Sequence, residues 1–382
     1  MRERRTPPRR LDAAAEVGAF AALAVTGYGL YRMAAFAAPR HRLPVSPAAS
    51  PRVRVSAVVP ARDEARVIAD CVRALCASGP GLAELVVVDD GSTDGTADAA
   101  AAVGDPRVRV ITAPPLADGA LGKPSACAAG AAAATGEWLW FVDADVRVAP
   151  DALARLLDHA RSTGAALVSA LGRLRGGSAA VSWLLPEVGF GLARRLSLDS
   201  VAEPTSPIAF ASGQCLLMRR DAYDDIGGHG AVVREPVEDV ALAGLAKARG
   251  HHLRVVLAPD AFDVDMYASL SDAWRGLLKN SAGVRGAAHV SLAREAVWAA
   301  AAAVPLAVLA GSRSRSARRL AAAAVIAQVV TSVGGRVVAK VPVWPAVGAP
   351  LAELTLVASW LQSRRLAARG ETVQWRGRPV VP

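Results

Sequence analysis

The sequence predicts an α/β protein with a mostly parallel sheet, flanking helices, and transmembrane helices near both ends. Two observations support this prediction. Between residues 53 and 260, short β-rich runs alternate with helix-like stretches of about 10–15 residues, as in parallel sheets. On both sides of that region the chain contains long apolar stretches with few charges, as transmembrane helices require.

The composition agrees with a soluble middle between apolar ends. Of the 382 residues, 53% are hydrophobic and 20% are charged, and the net charge is +10. Arginines cluster beside the apolar stretches, at 2–10, 313–319 and 364–378. This placement favours a membrane surface as the partner of the basic charge, and no nucleic acid is expected because no helix-turn-helix or aromatic-interleaved basic stripe occurs.

The apolar stretches predict the membrane-bound parts. Residues 11–39 predict one anchor helix, and three further apolar stretches cover 295–311, 320–335 and 341–362. Arginine and lysine counts place 312–319 and 363–378 in the cytoplasm if the last two stretches form a hairpin, and the number of crossings stays open. The predicted regions are a basic tail and anchor (1–50), a catalytic domain (51–265), an interfacial helix region (266–294), membrane helices (295–362) and a basic cytosolic tail (363–382).

The middle region can be divided into elements. After the first strand we expect a helix over 65–77, after the second a helix capped by Thr93 or Asp94, and after the third an alanine-rich helix beyond Lys123. The predicted strands are 54–61, 84–91, 107–113, 137–145 and 166–170. Ligands of such sheets bind beyond the carboxyl ends of the strands, where this chain carries its acidic residues.

Two acidic pairs follow predicted strands. Asp89 and Asp90 end the second strand, where one carboxylate can bind a base or ribose; a capped turn without a ligand is the alternative. Asp143 and Asp145 follow the very apolar run WLWFV, and an extended Asp-x-Asp places both side chains on one side. Such oxygen ligands suit Mg²⁺ or Mn²⁺ bridging a diphosphate, whereas solvated acids at a strand end are the alternative.

Other polar residues carry weaker signals. Glu238 and Asp239 begin a predicted helix, where they either act as a general base or only complement the helix dipole. Lys123 follows a glycine-containing loop and either contacts phosphate or lies on the surface. The four cysteines show no metal-ligand spacing and are expected to be reduced, and the six histidines form no metal or catalytic motif.

Six motifs in order resemble the family 2 glycosyltransferases of the GT-A fold, over about residues 53–260. They are VVPARDEA (58–65), VVVDDGSTDGT (86–96), GKPSA (122–126), FVDAD (141–145), ASGQCLLMRRDAY (211–223) and VEDVAL (237–242). The resemblance implies that Asp143 and Asp145 bind the metal, with Asp145 the more direct ligand, and that Asp239 is the base of the Glu238–Asp239 pair. It further implies a donor site built from Pro60, Ala61, Asp63, Glu64, Asp89, Asp90, Lys123, Asp143, Ala144, Gly213 and Gln214.

The chain departs from the polysaccharide synthases of this family because their Gln-x-x-Arg-Trp motif is absent. The segments 265–280 and 373–380 instead resemble membrane glycosyltransferases that act on carotenoid- or hopanoid-type lipids. Trp274, Arg275, Lys279 and Asn280 are then expected to close over the diphosphate. Alternatively, this segment is an interfacial helix whose Trp and Lys are membrane anchors.

The resemblance implies an inverting, metal-dependent transfer from a UDP- or GDP-linked sugar to a lipid acceptor, with Mn²⁺ or Mg²⁺ as cofactor. Nucleotide sugars are cytosolic, so we expect a multi-pass membrane protein with a cytosolic catalytic domain. Two other functions stay open from sequence. One is a sugar-phosphate nucleotidyltransferase, although VVPARDEA lacks the glycine-rich loop expected there, and the other is a catalytically silent nucleotide-sugar-binding membrane protein.

Overall fold

The computed structural model describes residues 9–45, 53–79, 81–283, 292–375 and 378–380. Most of the basic N-terminal tail, part of the predicted interfacial region and four residues of the C-terminal tail lie outside these ranges. The side chain of Asn280, predicted at the donor site, also lies outside the described residues.

A seven-stranded sheet forms the centre of the protein. The strands lie in the order β3-β2-β1-β4-β8-β6-β9, and all neighbours pair in parallel except β8, which is antiparallel to both β4 and β6. The five predicted strands are confirmed within a few residues, whereas β8 and β9 were missed. The strands are β1 (Val55–Ala61), β2 (Leu82–Asp89), β3 (Val108–Thr112), β4 (Trp138–Val142), β6 (Leu167–Leu171), β8 (Cys215–Arg219) and β9 (Leu253–Leu257).

Helices cover both faces of this sheet because successive strand residues point to opposite sides. On β1, Val59 packs into the cluster that contains Ile68 of α2, whereas Val58 packs into the cluster that contains Ala126 of α4. The helices of this domain are α2 (Ile68–Cys76), α3 (Thr96–Ala101), α4 (Gly122–Ala133), α5 (Ala152–Thr163), α6 (Ala179–Arg195), α7 (Leu198–Ala202), α8 (Arg220–Asp225) and α9 (Glu238–Ala248).

Two small sheets complete the strand structure. β5 (Val146–Val148) and β7 (Arg173–Gly176) flank β10 (Phe262–Tyr267), with β5 antiparallel and β7 parallel to it. At the C-terminal end, β11 (Val373–Trp375) and β12 (Arg378–Val380) form an antiparallel hairpin. All four cysteines are free, and three of them are buried, as expected for reduced thiols.

The helices outside the catalytic domain form a layer against it. Three of them are long and apolar enough to cross a membrane: Asp12–Phe36 within α1 (Arg9–Phe36), Ala293–Gly311 within α11 (Leu292–Gly311), and α12 (Arg315–Val338). These three pack on one another, and Met33 and Phe36 of α1 also pack on the sheet. Among the described residues, α10 (Leu270–Gly283) and α13 (Ala349–Ala368) do not qualify as spans.

The arrangement corrects the predicted hairpin of 320–335 and 341–362. Residues 341–348 form an irregular segment and a short 3₁₀ turn, and α13 packs on α10 and α6 beside the catalytic domain. The α11–α12 connection lies instead at the far end, where the Ser314 hydroxyl donates a 2.9 Å hydrogen bond to Glu16 of α1. The basic segments 312–319 and 363–378 therefore lie on opposite sides if α12 crosses the membrane.

Candidate active site

A cavity of about 840 Å³ lies where the carboxyl ends of the sheet strands meet the helix layer. Its polar end is lined by Asp143, Asp145, Glu238 and Asp239, three of which directly follow a strand or begin a helix. The ends of parallel strands meet at one edge of the sheet, which explains why motifs far apart in sequence converge here. These four predicted acidic residues are thus brought together.

The Asp143–Asp145 motif forms a turn between β4 and β5. The backbone N–H of Val146 donates to the carbonyl of Asp143 at 3.1 Å, so the segment is a turn and the predicted extended conformation is wrong. Both carboxylates and the buried Ala144 nevertheless line the cavity. The turn, rather than strand alternation, directs the two side chains to the same space.

Lys123 at the start of α4 is the central cation of the site. Its ammonium group lies 2.7 Å from Asp143 and 2.9 Å from Glu238, and 35% of its side chain is exposed to the cavity. Burial lowers the pKa of Lys123, but the carboxylates of Asp143 and Glu238 outweigh that effect and raise the pKa well above its usual value. Lys123 therefore stays charged and is placed to face an anionic group in the cavity.

Glu238 and Asp239 begin α9 and differ in their environments. Burial, and after it the negative charge of Glu238, raise the pKa of Asp239 to about 6. Burial also opposes ionisation of Glu238, but its ion pair with Lys123 prevails and lowers the pKa. Two neighbouring carboxyls with pKa values moved in opposite directions are suited to different roles. The carboxyl group of Asp239 thus takes up a proton more readily than that of Glu238.

Gly213 and Gln214 precede β8 and line the cavity beside Asp239. The backbone N–H of Gly213 donates to Oδ2 of Asp239 at 2.6 Å, and Val240 N–H donates to Oδ1 at 2.8 Å. A Cβ atom at position 213 would lie 2.7 Å from the Lys123 ammonium group. A side chain at this position would therefore displace the Lys123 ammonium group from its present place.

The end of β1 and the loop that follows it supply further predicted donor residues. Pro60, Ala61 and Glu64 line the cavity, as predicted. Asp63 has a positive φ of 52°, and its carboxylate accepts a 2.9 Å hydrogen bond from Thr93 N–H. Asp63 thus holds the loop that follows β2 against the loop that follows β1.

Asp89, the last residue of β2, and Asp90, which follows it, make separate contacts. Oδ1 of Asp89 accepts a 3.2 Å hydrogen bond from Ser92 N–H, so this carboxylate closes the turn. Asp90 is buried, lines the cavity and forms a two-point ion pair with Arg378 of β12, at 2.6 and 3.0 Å. Sequence reasoning noted the motif around Arg378 but did not assign this residue to the site.

The predicted residues of α10 are divided between two environments. Lys279 lines the cavity, and burial together with Lys123 lowers its pKa. Trp274 donates a 3.2 Å hydrogen bond to Gln362 of α13, and Arg275 pairs with Asp272 of its own helix at 2.6 Å. Within the described lining of the cavity, Trp274 and Arg275 do not occur. Trp274 therefore links α10 to α13, and Arg275 stays on the surface of its own helix.

The carboxylates fit a divalent cation that completes its coordination with other oxygen ligands. Among the described residues, no group of three His, Cys, Asp or Glu side chains is placed to hold a metal alone. Asp143 and Asp145 supply hard oxygen donors at the cavity wall. Mg²⁺ binds through one or two carboxylates plus phosphates and water, so this donor set suffices when a diphosphate is present.

Comparison with known proteins agrees with this geometry. Residues 56–227 match the model of "Glycosyl transferase family 2". The chain carries a family 2 glycosyltransferase domain. Over 111 residues, 29% of this chain, it is 39% identical to the succinoglycan biosynthesis protein ExoO of Rhizobium meliloti (strain 1021), and the match spans 31% of that protein.

The glycosyltransferase domain has the GT-A fold, as predicted. A mannosyltransferase from Pyrobaculum calidifontis, solved in complex with GDP-Man and Mn²⁺, superposes with a TM-score of 0.60. It is 23% identical, and the alignment covers 92% of this chain and 98% of that one. The shared fold thus extends beyond the glycosyltransferase domain into the helix layer.

Proposed function

We propose that the chain transfers a sugar, with inversion, from a nucleoside-diphosphate sugar to a hydroxyl group of a membrane lipid. The observation that carries this proposal is the continuity of one cavity. Its polar end contains Asp143 and Asp239, and its apolar end is lined by Phe36 of α1, Val338 of α12 and Leu356 of α13. Such a cavity suits a water-soluble donor and an acceptor whose apolar part comes from the membrane.

The donor is expected to be UDP- or GDP-linked, with Mn²⁺ or Mg²⁺ as cofactor. The solved mannosyltransferase of similar fold was bound to GDP-Man and Mn²⁺, which supports the same class of ligand here. Asp143 and Asp145 would hold the metal, which when bound neutralises charge on the leaving diphosphate. Lys123 would add a positive charge beside Asp143.

Asp239 is proposed as the general base. Its carboxylate is fixed by the N–H groups of Gly213 and Val240, so it is oriented before the acceptor arrives. A base with a pKa of about 6 is ionised at neutral pH and still accepts a proton readily. Glu238 would hold Lys123 in place rather than take the proton.

The acceptor is proposed to be a carotenoid-, hopanoid- or glycolipid-type lipid. Phe190 of α6 and Trp360 of α13 also line the apolar part of the cavity, alongside the helices that can cross a membrane. An acceptor hydroxyl that enters from this side reaches Asp239 without leaving the cavity. Buried apolar walls of this kind favour the hydrocarbon part of a lipid over a free sugar.

The proposed location is the cell membrane, with α1, α11 and α12 crossing it and the catalytic domain in the cytosol. In this arrangement the C-terminal hairpin lies on the catalytic side, because it packs on α10. A reporter that is active only in the cytosol should therefore work when fused to the C-terminus. An inactive reporter on a folded protein contradicts this orientation.

The decisive experiment measures nucleoside diphosphate release by purified protein in detergent. A panel of UDP- and GDP-sugars with Mn²⁺ or Mg²⁺ is tested with and without a total lipid extract. Lipid-stimulated release that is lost in Asp145→Ala and Asp239→Asn supports the proposal. Asp224→Asn, at an exposed position of α8, is the matched control and should remain active. No release with any donor from folded protein overturns it and favours the silent binding protein.

A further inference from the structure

The C-terminal hairpin reaches back to the proposed donor site. β11 packs on α10, and its first residue, Val373, is buried. The hairpin register pairs Trp375 with Arg378, which places the arginine at the start of the returning strand. Arg378 lines the same cavity as Lys123, although the two residues are 255 positions apart in the sequence.

Arg378 occupies both carboxylate oxygens of Asp90. Its two guanidinium nitrogens donate to Oδ2 and Oδ1 at 2.6 and 3.0 Å, and 32% of its side chain is exposed against 9% for Asp90. A Cβ atom on Gly122 would lie 2.1 Å from the guanidinium and 2.2 Å from Oδ2, so only glycine leaves room for this pair. The contact is thus specific in geometry rather than a loose surface ion pair.

This contact competes with the role that the fold gives to Asp90. A carboxylate at the end of β2 can accept hydrogen bonds from a nucleoside only when its oxygens are accessible. Arg378 donates to each oxygen, and only 9% of the Asp90 side chain is exposed. The guanidinium also lies beside Gly122, one residue before Lys123, which faces Asp143 at 2.7 Å. Arg378 thus lines the same cavity as Lys123 and Asp143, which would meet the diphosphate.

We propose that Arg378 is a donor-binding residue that exchanges Asp90 for the donor diphosphate when the nucleotide binds. The nucleoside takes over the oxygens of Asp90, and the released guanidinium binds phosphate oxygens, which a two-point arginine donor suits well. This inference rests on the proposed function, because it requires a nucleoside-diphosphate donor.

The test compares affinities for nucleosides and nucleoside diphosphates. Isothermal titration with uridine, guanosine, UDP and GDP, with Mn²⁺ present, is made on the full-length wild type, Arg378→Ala and Arg378→Lys. We expect Arg378→Ala to bind the preferred diphosphate at least about 10-fold more weakly, since hydrogen bonds to charged groups are lost. Nucleoside binding should be unchanged or tighter, because Asp90 is released. Arg378→Lys should recover part of the diphosphate affinity.

Arg369→Ala is the matched control. Arg369 lies at the end of α13, its side chain is 71% exposed and it pairs only loosely with Glu371, at 3.7 Å. This variant should bind every ligand as the wild type does. A second measurement uses unmodified protein: hydrogen exchange in 373–380 should respond more strongly to the diphosphate than to the nucleoside.

The outcomes separate the two proposals. If the wild type binds a nucleoside diphosphate and Arg378→Ala binds it equally well or more tightly, the exchange is overturned while the proposed function stands. If Arg378→Ala binds both nucleosides and nucleoside diphosphates more tightly, Arg378 only blocks the site and does not bind the diphosphate. This result also overturns the inference. If folded wild-type protein binds none of the diphosphates, the proposed function itself fails.

Discussion

Gly213 and Asp239 are joined by a 2.6 Å hydrogen bond from the glycine N–H to Oδ2 of the carboxylate. The glycine lies just before β8 and the aspartate at the start of α9, so this bond connects the sheet edge to the helix that carries the proposed base. A backbone donor cannot rotate away as a side chain can. The orientation of Asp239 is therefore set by the fold rather than by the substrate.

We expect Gly213→Ala to lower kcat by about 10- to 100-fold, because displacements of about 1 Å at a reacting group have effects of this size. The added Cβ would lie 2.7 Å from the Lys123 ammonium group and 3.4 Å from Oδ2 of Asp239. Steady-state kinetics checks this. Gly244→Ala, on α9 with open space around the new Cβ, is the control and should keep full activity. Equal activity of both variants would show that Gly213 does not position the base.

The rate should depend on pH through Asp239. A base must be ionised to accept a proton, so kcat/KM should rise with pH through an apparent pKa of about 6 and level off above it. We call this rise the acidic limb of the pH profile. The charged groups around Asp239 predict in which direction its midpoint shifts. Glu238 raises the pKa of Asp239 and Lys123 lowers it. Glu238→Gln should therefore move the limb to lower pH, and Lys123→Gln should move it to higher pH.

The control for these profiles is Asp224→Asn, which should leave the limb in place. Residual activity of both site variants is sufficient for the measurement, since only the position of the limb is compared. Shifts of the same sign in Glu238→Gln and Lys123→Gln, or no shift in either, would identify a base other than Asp239.

The sequence was sufficient for those parts of the fold and site that local patterns encode. Buried apolar runs predicted β1, β2 and β4, and the acids that follow them had to meet at one sheet edge. β8 and β9 were not predicted, although α8 follows β8 and α9 precedes β9 along the chain. β8 is antiparallel and is held by β4 and β6, so its place is decided by tertiary pairing.

The ion pair between Asp90 and Arg378 could not be predicted from the sequence. Arg378 is 288 residues away in the chain, and the hairpin reaches the site only because α13 and α10 lead the chain back over the cavity. Trp274 and Arg275 were predicted at the donor site but do not line the cavity, for a related reason. A helix presents only part of its surface to one side, and α10 turns Lys279 to the cavity and Trp274 to Gln362.

The apolar end of the cavity can be tested on two neighbouring residues of α12. Val338 lines the cavity, whereas Val337 is 62% exposed on the outer side. Val338→Phe should raise the KM for the lipid acceptor about 10-fold or more, because added volume in an apolar site discriminates at this level. Hydrolysis of the donor in the absence of a lipid acceptor, measured as nucleoside diphosphate release, should be unaffected. Val337→Phe should match the wild type, and an unchanged acceptor KM in Val338→Phe would place the acceptor elsewhere.

Arg336 of α12 links the helix layer to the catalytic domain. Its buried guanidinium donates to the carbonyls of Ser182 and Trp183, at 3.0 and 2.8 Å, and to the buried carboxylate of Glu187, at 3.1 Å. Removal of one partner of a buried pair leaves an uncompensated charge and costs about 3–5 kcal/mol. Arg336→Met should therefore lower the Tm in detergent by several degrees.

The double variant Arg336→Met, Glu187→Leu separates the charge from the other contacts of Arg336. It removes both partners, so much of the lost stability should return, as apolar replacement of a buried ion pair is often tolerated. Arg318→Met, at an exposed position of the same helix, is the control and should unfold at the wild-type temperature. If the double variant is no more stable than Arg336→Met, the carbonyls of Ser182 and Trp183, and not Glu187, determine the anchoring of α12 on α6.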